Sequence, residues 1–122
     1  MTILITGSSG FIGSNLIKNL NKKKKLFYSI DKINNPYFKV KNFFKIDLCN
    51  EKKLEKVFKK KKIKYIIHLA ALPGFVNCHN SPDGAFNDNV IATVNILNLS
   101  LKYNVEKILI ASSMGVDNFK YN

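Results

Sequence analysis

The feature that most constrains this chain is a glycine-rich stretch close to its start. It reads Thr6-Gly7-Ser8-Ser9-Gly10-Phe11-Ile12-Gly13, so its three glycines recur at a spacing of three. A short apolar run over residues 2–6 precedes the stretch and has the character of a strand. A helical pattern of apolar residues begins at Phe11 and follows it. This order predicts a sharp turn that leads from a strand directly into a helix.

The three glycines predict a turn that binds phosphate. Gly7 can adopt backbone angles that are closed to other residues, and Gly10 leaves the backbone open to the close approach of a pyrophosphate. Gly13 lets the helix pack closely on the strand. Free N–H groups and the dipole of the helix beginning at Phe11 favour a bound dianion, and Ile12 belongs to the same turn. An ordinary strand–turn–helix with spare glycines is the alternative, but the flanking patterns favour a dinucleotide site.

Strand and helix patterns alternate along the rest of the chain. Strands are predicted over residues 2–6, 26–30, 43–46, 64–69 and 107–112. Helices are predicted from residue 11 to the lysine run at 22–25, from 51 to about 60 after an Asn50 cap, and over 83–103 after Ser81-Pro82. Residues 72–80 are predicted to form a loop. The alternation predicts one α/β domain over residues 1–122, a Rossmann-type doubly wound parallel sheet truncated after the fifth strand.

Three helical faces are predicted from the apolar spacing. They consist of Phe11, Ile12, Leu16, Ile17 and Leu20; of Leu54, Val57 and Phe58; and of Phe86, Val90, Val94, Leu97 and Leu101. Ligands of parallel sheets bind outside the carboxyl ends of the strands. We therefore expect the functional residues directly after strands.

Asp31 ends the second predicted strand, close to the spacing of roughly 20 residues after the glycines that is expected for a ribose-binding acid. A carboxylate at this position accepts hydrogen bonds from ribose hydroxyls and repels a 2′-phosphate, so it favours NAD over NADP. Lys32 opposes this prediction because it could pair with such a phosphate. A turn-forming role is the alternative for Asp31.

The charge of the chain has two interpretations. The formal net charge is +12 and all 20 basic residues are lysines, with clusters at residues 22–25 and 59–62. Such clusters attract nucleic acid phosphates, but recognition usually also uses Arg and stacked aromatic rings, and these are not interleaved here. A biased composition with a solvated basic surface is the simpler interpretation, so nucleic acid is not an expected partner.

Other sequence features favour a cytoplasmic location. Cys49 and Cys78 are too few for a disulfide framework and fit a reducing compartment. No apolar run approaches the length of a membrane span, and the start shows no signal-peptide pattern. The cysteines combined with His68 and His79 match no zinc spacing, so no metal is expected and a structural role is favoured for His68.

Further motifs follow the glycine stretch and Asp31 in a fixed order. They are Asp47-Leu48, His68-Leu69-Ala70-Ala71, Asn89-Val90-x-Ala92-Thr93 and Ser112-Ser113. Together they resemble the NAD-dependent epimerase/dehydratase family, the extended short-chain dehydrogenases that act on nucleotide sugars. The resemblance covers essentially the whole chain.

The resemblance implies roles for these motif residues. Asp47 and Leu48 would contact the adenine ring, although a helix-start role is the alternative for Asp47. The segment of Leu69, Ala70 and Ala71 would line the cofactor, which is NAD. Asn89 would face the site and hold the strand ends and the cofactor. Ser113 would be the catalytic hydroxyl that hydrogen-bonds the reacting group of the substrate.

The resemblance also implies residues outside the printed sequence. A general acid/base Tyr, with a Lys four residues later, would follow Ser113 by twenty or more residues. We therefore expect the isolated chain to be inactive, and its substrate in a complete enzyme to be a nucleoside-diphosphate sugar. The resemblance further implies a homodimer through helix 83–103. A stand-alone NAD-binding module and a basic nucleic-acid-binding protein remain the alternatives.

Overall fold

A computed structural model describes residues 2–113 of the chain. The strands are β1 (Ile3–Thr6), β2 (Phe27–Asp31), β3 (Phe43–Lys45), β4 (Tyr65–His68) and β5 (Lys107–Ile110). The helices are α1 (Phe11–Lys22), α2 (Glu51–Lys61), α3 (Phe75–Asn80), α4 (Pro82–Phe86) and α5 (Ala92–Lys102). A π-helical segment, Asn87–Ile91, joins α4 to α5.

The strands form one parallel sheet in the order β3-β2-β1-β4-β5. The chain proceeds outward from β1 in one direction and then returns to the other side of β1 with β4. Thr6 at the end of β1 is in register with Ile30 on one side and His68 on the other. The prediction of a Rossmann-type doubly wound sheet is therefore confirmed, and its strand order reverses between β1 and β4.

The two faces of the sheet bury different sets of side chains because neighbouring strand residues point in opposite directions. On β1, Leu4 packs with the residues of α2 and α5, whereas Ile3 and Ile5 pack with Ile17 of α1. Helices thus cover both faces of the sheet. The α2 residues predicted to form an apolar face are all buried: Leu54, Val57 and Phe58.

The predicted apolar face of α1 is only partly correct. Ile17 is buried, and Leu16 and Leu20 pack against its cluster. Phe11 and Ile12, in contrast, are 78% and 62% exposed. They lie in the first turn of α1 and line an open cleft at the carboxyl ends of the strands, so they do not join the core.

The last long helix also differs from its prediction. The chain from Pro82 to Lys102 is helical almost as predicted, but it contains the π-helical segment. Its buried face consists of Ala92, Asn95, Ile96, Leu99 and Ser100. The apolar spacing that the sequence emphasises forms the opposite, exposed face: Phe86, Val90, Val94, Leu97 and Leu101. The predicted homodimer through this helix stays a prediction.

Local sequence signals explain some helix boundaries and not others. The side chain of Asn50 accepts a hydrogen bond from the Lys53 N–H at 3.0 Å and caps α2 as predicted. Ser81 precedes Pro82 but makes no side-chain capping hydrogen bond. The loop predicted over residues 72–80 is wrong in its second half, where Phe75–Asn80 forms α3. Within the described residues, no helix is both long enough and apolar enough to cross a bilayer.

Candidate functional site

A cleft of about 470 Å³ opens at the carboxyl ends of the strands, where the strand order reverses. This volume falls in the range of small-molecule sites. The residues that line the cleft come from the glycine stretch, from the ends of β2, β3, β4 and β5, and from the π-helical segment with the start of α5. They are Gly7, Gly10, Phe11, Ile12, Gly13, Ile30, Asp31, Lys32, Ile33, Ile46, Asp47, Leu48, Leu69, Ala70, Ala71, Pro73, Asp88, Ala92 and Ala111.

Two glycines allow the close packing that forms the floor of the cleft. Gly7 has a φ of +66°, and a Cβ there would lie 2.6 Å from the backbone N of Ala70. A Cβ on Gly13 would overlap the Gly7 carbonyl oxygen and lie 2.8 Å from the Cα of Ser8. Glycine is therefore required at both positions by neighbouring backbone. Gly10 differs, because a Cβ there would meet the Gly7 carbonyl oxygen only at 3.4 Å.

The start of α1 is arranged to attract an anion. Gly10 is the N-cap residue and supplies no capping side chain, and the first turn contains no acidic residue. The first N–H groups of a helix have no partner within the helix, and the helix dipole adds positive potential at this end. Phe11, Ile12 and Gly13, which carry these groups, line the cleft. This end of the cleft can therefore hold a pyrophosphate through backbone N–H groups.

Asp31 is the last residue of β2, and its carboxylate is held from two sides. One oxygen accepts a hydrogen bond from the Ser9 N–H at 2.9 Å, and the other accepts one from the Ile33 N–H at 3.2 Å. These bonds tie the glycine stretch to the turn after β2, so the turn-forming role considered for Asp31 is present. They also fix the carboxylate at the wall of the cleft, where it can accept hydrogen bonds from a ribose.

The opposite wall depends on a hydrogen-bond network around His68. The Thr6 hydroxyl oxygen accepts from the N–H groups of Leu69 and Ala70 at 3.2 and 3.3 Å, and lies 2.7 Å from Nδ1 of His68. The other ring nitrogen, Nε2, lies 3.0 Å from the Thr93 hydroxyl oxygen, and that hydroxyl donates to the Asn89 carbonyl at 2.8 Å. The network links β1, β4 and the helix that includes Thr93.

The direction of each hydrogen bond follows from the number of protons. The Thr93 hydroxyl donates its single proton to the Asn89 carbonyl, so it must accept from the Nε2–H of His68. The Thr6 hydroxyl oxygen already accepts from two N–H groups, so it donates its proton to Nδ1 of His68, which therefore carries none. The ring is thus neutral, and burial lowers its pKa below the ordinary value. His68 holds the cleft wall in place.

Asp47 and Leu48 lie shortly after the end of β3 and line the cleft. Oδ1 of Asp47 accepts from the Cys49 N–H at 2.9 Å, and its carbonyl accepts from the Asn50 N–H, so it also forms the turn before α2. Leu48 is buried, and its carbonyl accepts from the side chain of Asn95 at 2.9 Å. A polar and an apolar group are thereby placed side by side at the cleft.

The predicted site residues come together in this cleft, with two exceptions. Asn89 does not line it and instead holds the backbone of Leu72, accepting from its N–H at 2.7 Å and donating to its carbonyl at 3.2 Å. Ser113 is exposed, lies beyond the end of β5 and does not line the cleft. The roles predicted for these two residues stay predictions.

The sequence interpretation missed some lining residues. Ile30, Ile33, Ile46, Pro73, Asp88, Ala92 and Ala111 also line the cleft. The small residues Ala92 and Ala111 could have been found from the fold, since they start α5 and follow β5. Asp88 gave no signal, because its position depends on the π-helical segment. Its carboxylate forms an ion pair with the ammonium group of Lys32.

Comparison with known proteins gives matches over nearly the whole chain. Residues 3–117 match the model of the NAD dependent epimerase/dehydratase family. UDP-glucose 4-epimerase of Caenorhabditis elegans is 33% identical over 135 residues, which cover 95% of this chain and 39% of the nematode protein. The chain is therefore similar to about two fifths of that relative.

Solved structures agree with this match. UDP-glucose 4-epimerase from Bifidobacterium longum, in complex with NAD+ and UDP, has a TM-score of 0.88 at 26% identity and covers 100% of this chain and 40% of its own. L-threonine 3-dehydrogenase from Trypanosoma brucei has a TM-score of 0.81 at 31% identity, covering 91% of this chain and 36% of its own. The shared part is thus common to proteins named for different reactions.

Proposed function

Because the chain belongs to the NAD-dependent epimerase/dehydratase family, we propose that it forms the cofactor-binding portion of a nucleotide-sugar epimerase or dehydratase. The family is NAD-dependent, so the cofactor is NAD. One observation carries the proposal for this chain: the uncapped start of α1, with its unpaired backbone N–H groups, opens into a cleft that also contains the Asp31 carboxylate. These groups match two polar parts of a dinucleotide, its pyrophosphate and the ribose of its adenosine half.

The residues of the cleft fit NAD along its length. The glycine stretch and the start of α1 would hold the pyrophosphate, and Asp31 would hold the ribose of the adenosine half. Asp47 and Leu48 would contact the adenine ring, and the segment of Leu69, Ala70 and Ala71 would lie along the cofactor. These last residues leave room because two of them are alanines. Bound NAD supplies hydride transfer, and the protein supplies binding and orientation.

The nucleotide-sugar substrate is proposed from the relatives. The nematode protein and the bifidobacterial structure are both named UDP-glucose 4-epimerase. In the whole protein, we propose that Ser113 hydrogen-bonds the substrate group that is oxidised or reduced. Because the chain spans about two fifths of such relatives, the remaining part would carry most of the sugar-binding residues.

Calorimetric titration of the purified chain with NAD, and separately with NADP, tests the cofactor-binding proposal. We expect NAD to bind more tightly than NADP. Asp31→Asn keeps an oxygen that can accept from the Ser9 N–H but removes the charge that would hold the ribose. It should weaken NAD binding about tenfold or more, since a hydrogen bond to a charged group contributes about 1.5–3 kcal/mol.

A matched control removes the same charge elsewhere. Asp83 lies exposed in the first turn of α4 and does not line the cleft. Asp83→Asn should therefore leave the NAD affinity unchanged. A folded wild-type chain that binds neither dinucleotide would contradict the proposed function. Equal NAD affinity in wild type and Asp31→Asn would contradict the role of Asp31 alone.

A further inference from the structure

Lys32 is the only basic residue among the described residues that line the cleft. It directly follows Asp31, at the end of the cleft where the adenosine ribose would lie. An available ammonium group at this position would attract the 2′-phosphate that distinguishes NADP from NAD. Whether Lys32 is available for a phosphate therefore matters for the choice of cofactor.

The ammonium group of Lys32 is already paired. It donates a hydrogen bond to Oδ2 of Asp88, which approaches from the π-helical segment across the cleft. This hydrogen bond is the main reason that the pKa of Lys32 is raised, while partial desolvation acts in the opposite direction. The ammonium group of Lys32 is thus charged and paired with the Asp88 carboxylate.

Asp88 is held in position by its neighbours in the chain. The thiol of Cys49 donates to the carbonyl of Asn87 at 3.3 Å. On the other side, the side chain of Asn89 forms two hydrogen bonds with the backbone of Leu72. The Asp88 side chain is only 17% exposed, in contrast to 52% for Lys32. The carboxylate is therefore a fixed partner to which the flexible lysine is drawn.

Among the described residues, the other charged side chains that line the cleft are negative. Asp31, Asp47 and Asp88 all line it together with Lys32. A carboxylate oxygen of Asp47 and one of Asp88 lie within 4.8 Å of each other and of the Cys49 sulfur. A 2′-phosphate would meet three carboxylates and one lysine whose positive charge is already paired with Asp88. It would have to break the Lys32–Asp88 pair to gain a cation, and would leave Asp88 without its partner.

We propose that Asp88 is a positioning residue for cofactor selection: by holding Lys32 in an ion pair, it keeps this ammonium group from the 2′-phosphate of NADP. This inference rests on the proposed function, since it concerns the same cofactor cleft. It assigns NAD selection to two carboxylates. Asp31 repels the phosphate directly, and Asp88 acts through Lys32.

The decisive readout is the ratio of NADP affinity to NAD affinity, measured by calorimetry on the full chain. Asp88→Asn removes the charge that holds Lys32 and keeps the shape of the side chain. The freed ammonium should raise the ratio about tenfold or more, as expected for a new charge-assisted contact with a phosphate. In the double variant Lys32→Gln/Asp88→Asn, the ratio should return close to the wild-type value.

The double variant Lys32→Gln/Asp88→Asn also tests the proposal from the other side, because it removes the ion pair without changing the net charge of the cleft. Because Lys32 is not available in the wild type, this double variant should bind NADP as weakly as the wild type does. A large loss of NADP affinity in the double variant would overturn the inference, even if Asp88→Asn alone did not fold. Thermal melting of each variant identifies folding defects.

Other results separate this inference from the proposed function. NAD binding by the wild type with an unchanged ratio in Asp88→Asn would overturn the role of Asp88 and leave the cofactor site intact. A raised ratio that persists in the double variant would show that removing the Asp88 charge acts without Lys32, which also overturns the inference. No NAD binding by folded wild-type chain would instead contradict the proposed function.

Discussion

Gly10 and Gly13 are neighbours in one turn of chain, but the structure predicts opposite consequences for replacing them. An alanine Cβ at Gly13 would overlap the carbonyl oxygen of Gly7 and approach the Cα of Ser8 to 2.8 Å. An alanine Cβ at Gly10 would meet its nearest neighbour, the same carbonyl oxygen, at 3.4 Å. Gly13→Ala should therefore damage folding, whereas Gly10→Ala should damage cofactor binding.

The magnitudes follow from opposing contributions. At Gly13, alanine gains about 1 kcal/mol of helix propensity, but overpacking costs about 1–3 kcal/mol or more. The upper part of this range applies because the obstructing atoms belong to backbone and cannot rotate away. We expect a net loss of about 2 kcal/mol in the free energy of unfolding, which corresponds to a fall in Tm of roughly 5–10 °C.

Gly10 has backbone angles that alanine adopts easily, with φ −72° and ψ 173°. Alanine is a poorer N-cap residue than glycine, but it also reduces the conformational entropy of the unfolded chain. These effects nearly cancel, so the free energy of unfolding should change by less than about 1 kcal/mol. The added methyl group would point to the space through which the pyrophosphate approaches the start of α1. NAD affinity should fall about tenfold or more.

Two measurements on the same samples test this pair of variants. Thermal melting followed by circular dichroism gives the stability, and calorimetric titration with NAD gives the affinity. A Gly13→Ala variant that melted like the wild type would refute the predicted overlap with the Gly7 carbonyl oxygen. A well-folded Gly10→Ala variant with wild-type NAD affinity would show that the pyrophosphate does not bind at this turn.

Three further predictions concern stability. Burial lowers the pKa of His68, so as the pH falls the unfolded chain takes up a proton before the folded chain does. The free energy of unfolding should therefore fall as the pH drops below about 6.5, by at most about 1.4 kcal/mol per pH unit. Urea denaturation between neutral pH and pH about 5 measures this, and the dependence should vanish in His68→Gln but persist in the exposed control His79→Gln. Asn50→Ala should cost about 1 kcal/mol because the 3.0 Å capping bond to the Lys53 N–H is lost, with the exposed Asn98→Ala as control; equal melting of the two variants would contradict the capping role. Leu54→Ala should cost about 2–5 kcal/mol because the side chain is 0% exposed, and a smaller loss in urea denaturation would mean that the core closes around the cavity.

The sequence predicted those parts of the fold and site that local chemistry determines. Glycine is required at positions 7 and 13 because an added Cβ would meet backbone atoms. At Gly7 these belong to Leu69 and Ala70, which follow β4, and at Gly13 they belong to the same glycine stretch. Asn50 caps α2 through a bond to a residue three positions later. Asp31 ends a short, largely buried strand whose parallel pairing with β1 brings it to the glycine stretch. In each case a residue type and its near neighbours contain the necessary information.

Other features could not be predicted because they depend on what the rest of the molecule places nearby. Phe11 and Ile12 fit the helical period of the apolar residues in α1, but they line the open cleft and stay exposed. In α5, the spacing of Val94, Leu97 and Leu101 indicates an apolar face, yet a different face is buried. The core accepts Asn95 instead, because Asn95 can donate to the Leu48 carbonyl at 2.9 Å. Hydropathy alone cannot predict such a partner.

Two residues of the helix that crosses the cleft show the same limit at the functional site. The π-helical segment shifts the register of the helix, and so decides which side chains reach the cleft and which reach the loop after β4. Asn89 is turned to the backbone of Leu72, and Asp88 is turned to Lys32. A regular helical period would not distinguish these adjacent positions.

The state of His68 determines what this part of the protein contributes to catalysis. A general acid/base needs a free ring nitrogen and a pKa near the working pH. In His68, Nε2–H donates to Thr93, Nδ1 accepts from Thr6, and burial lowers the pKa, so the ring has neither property. Its hydrogen bonds instead orient the Thr6 hydroxyl, which accepts from the N–H groups of Leu69 and Ala70 and so fixes the wall of the cleft. His68 therefore supports binding rather than proton transfer, and we expect the proton-transfer residues of the proposed enzyme to lie outside residues 2–113.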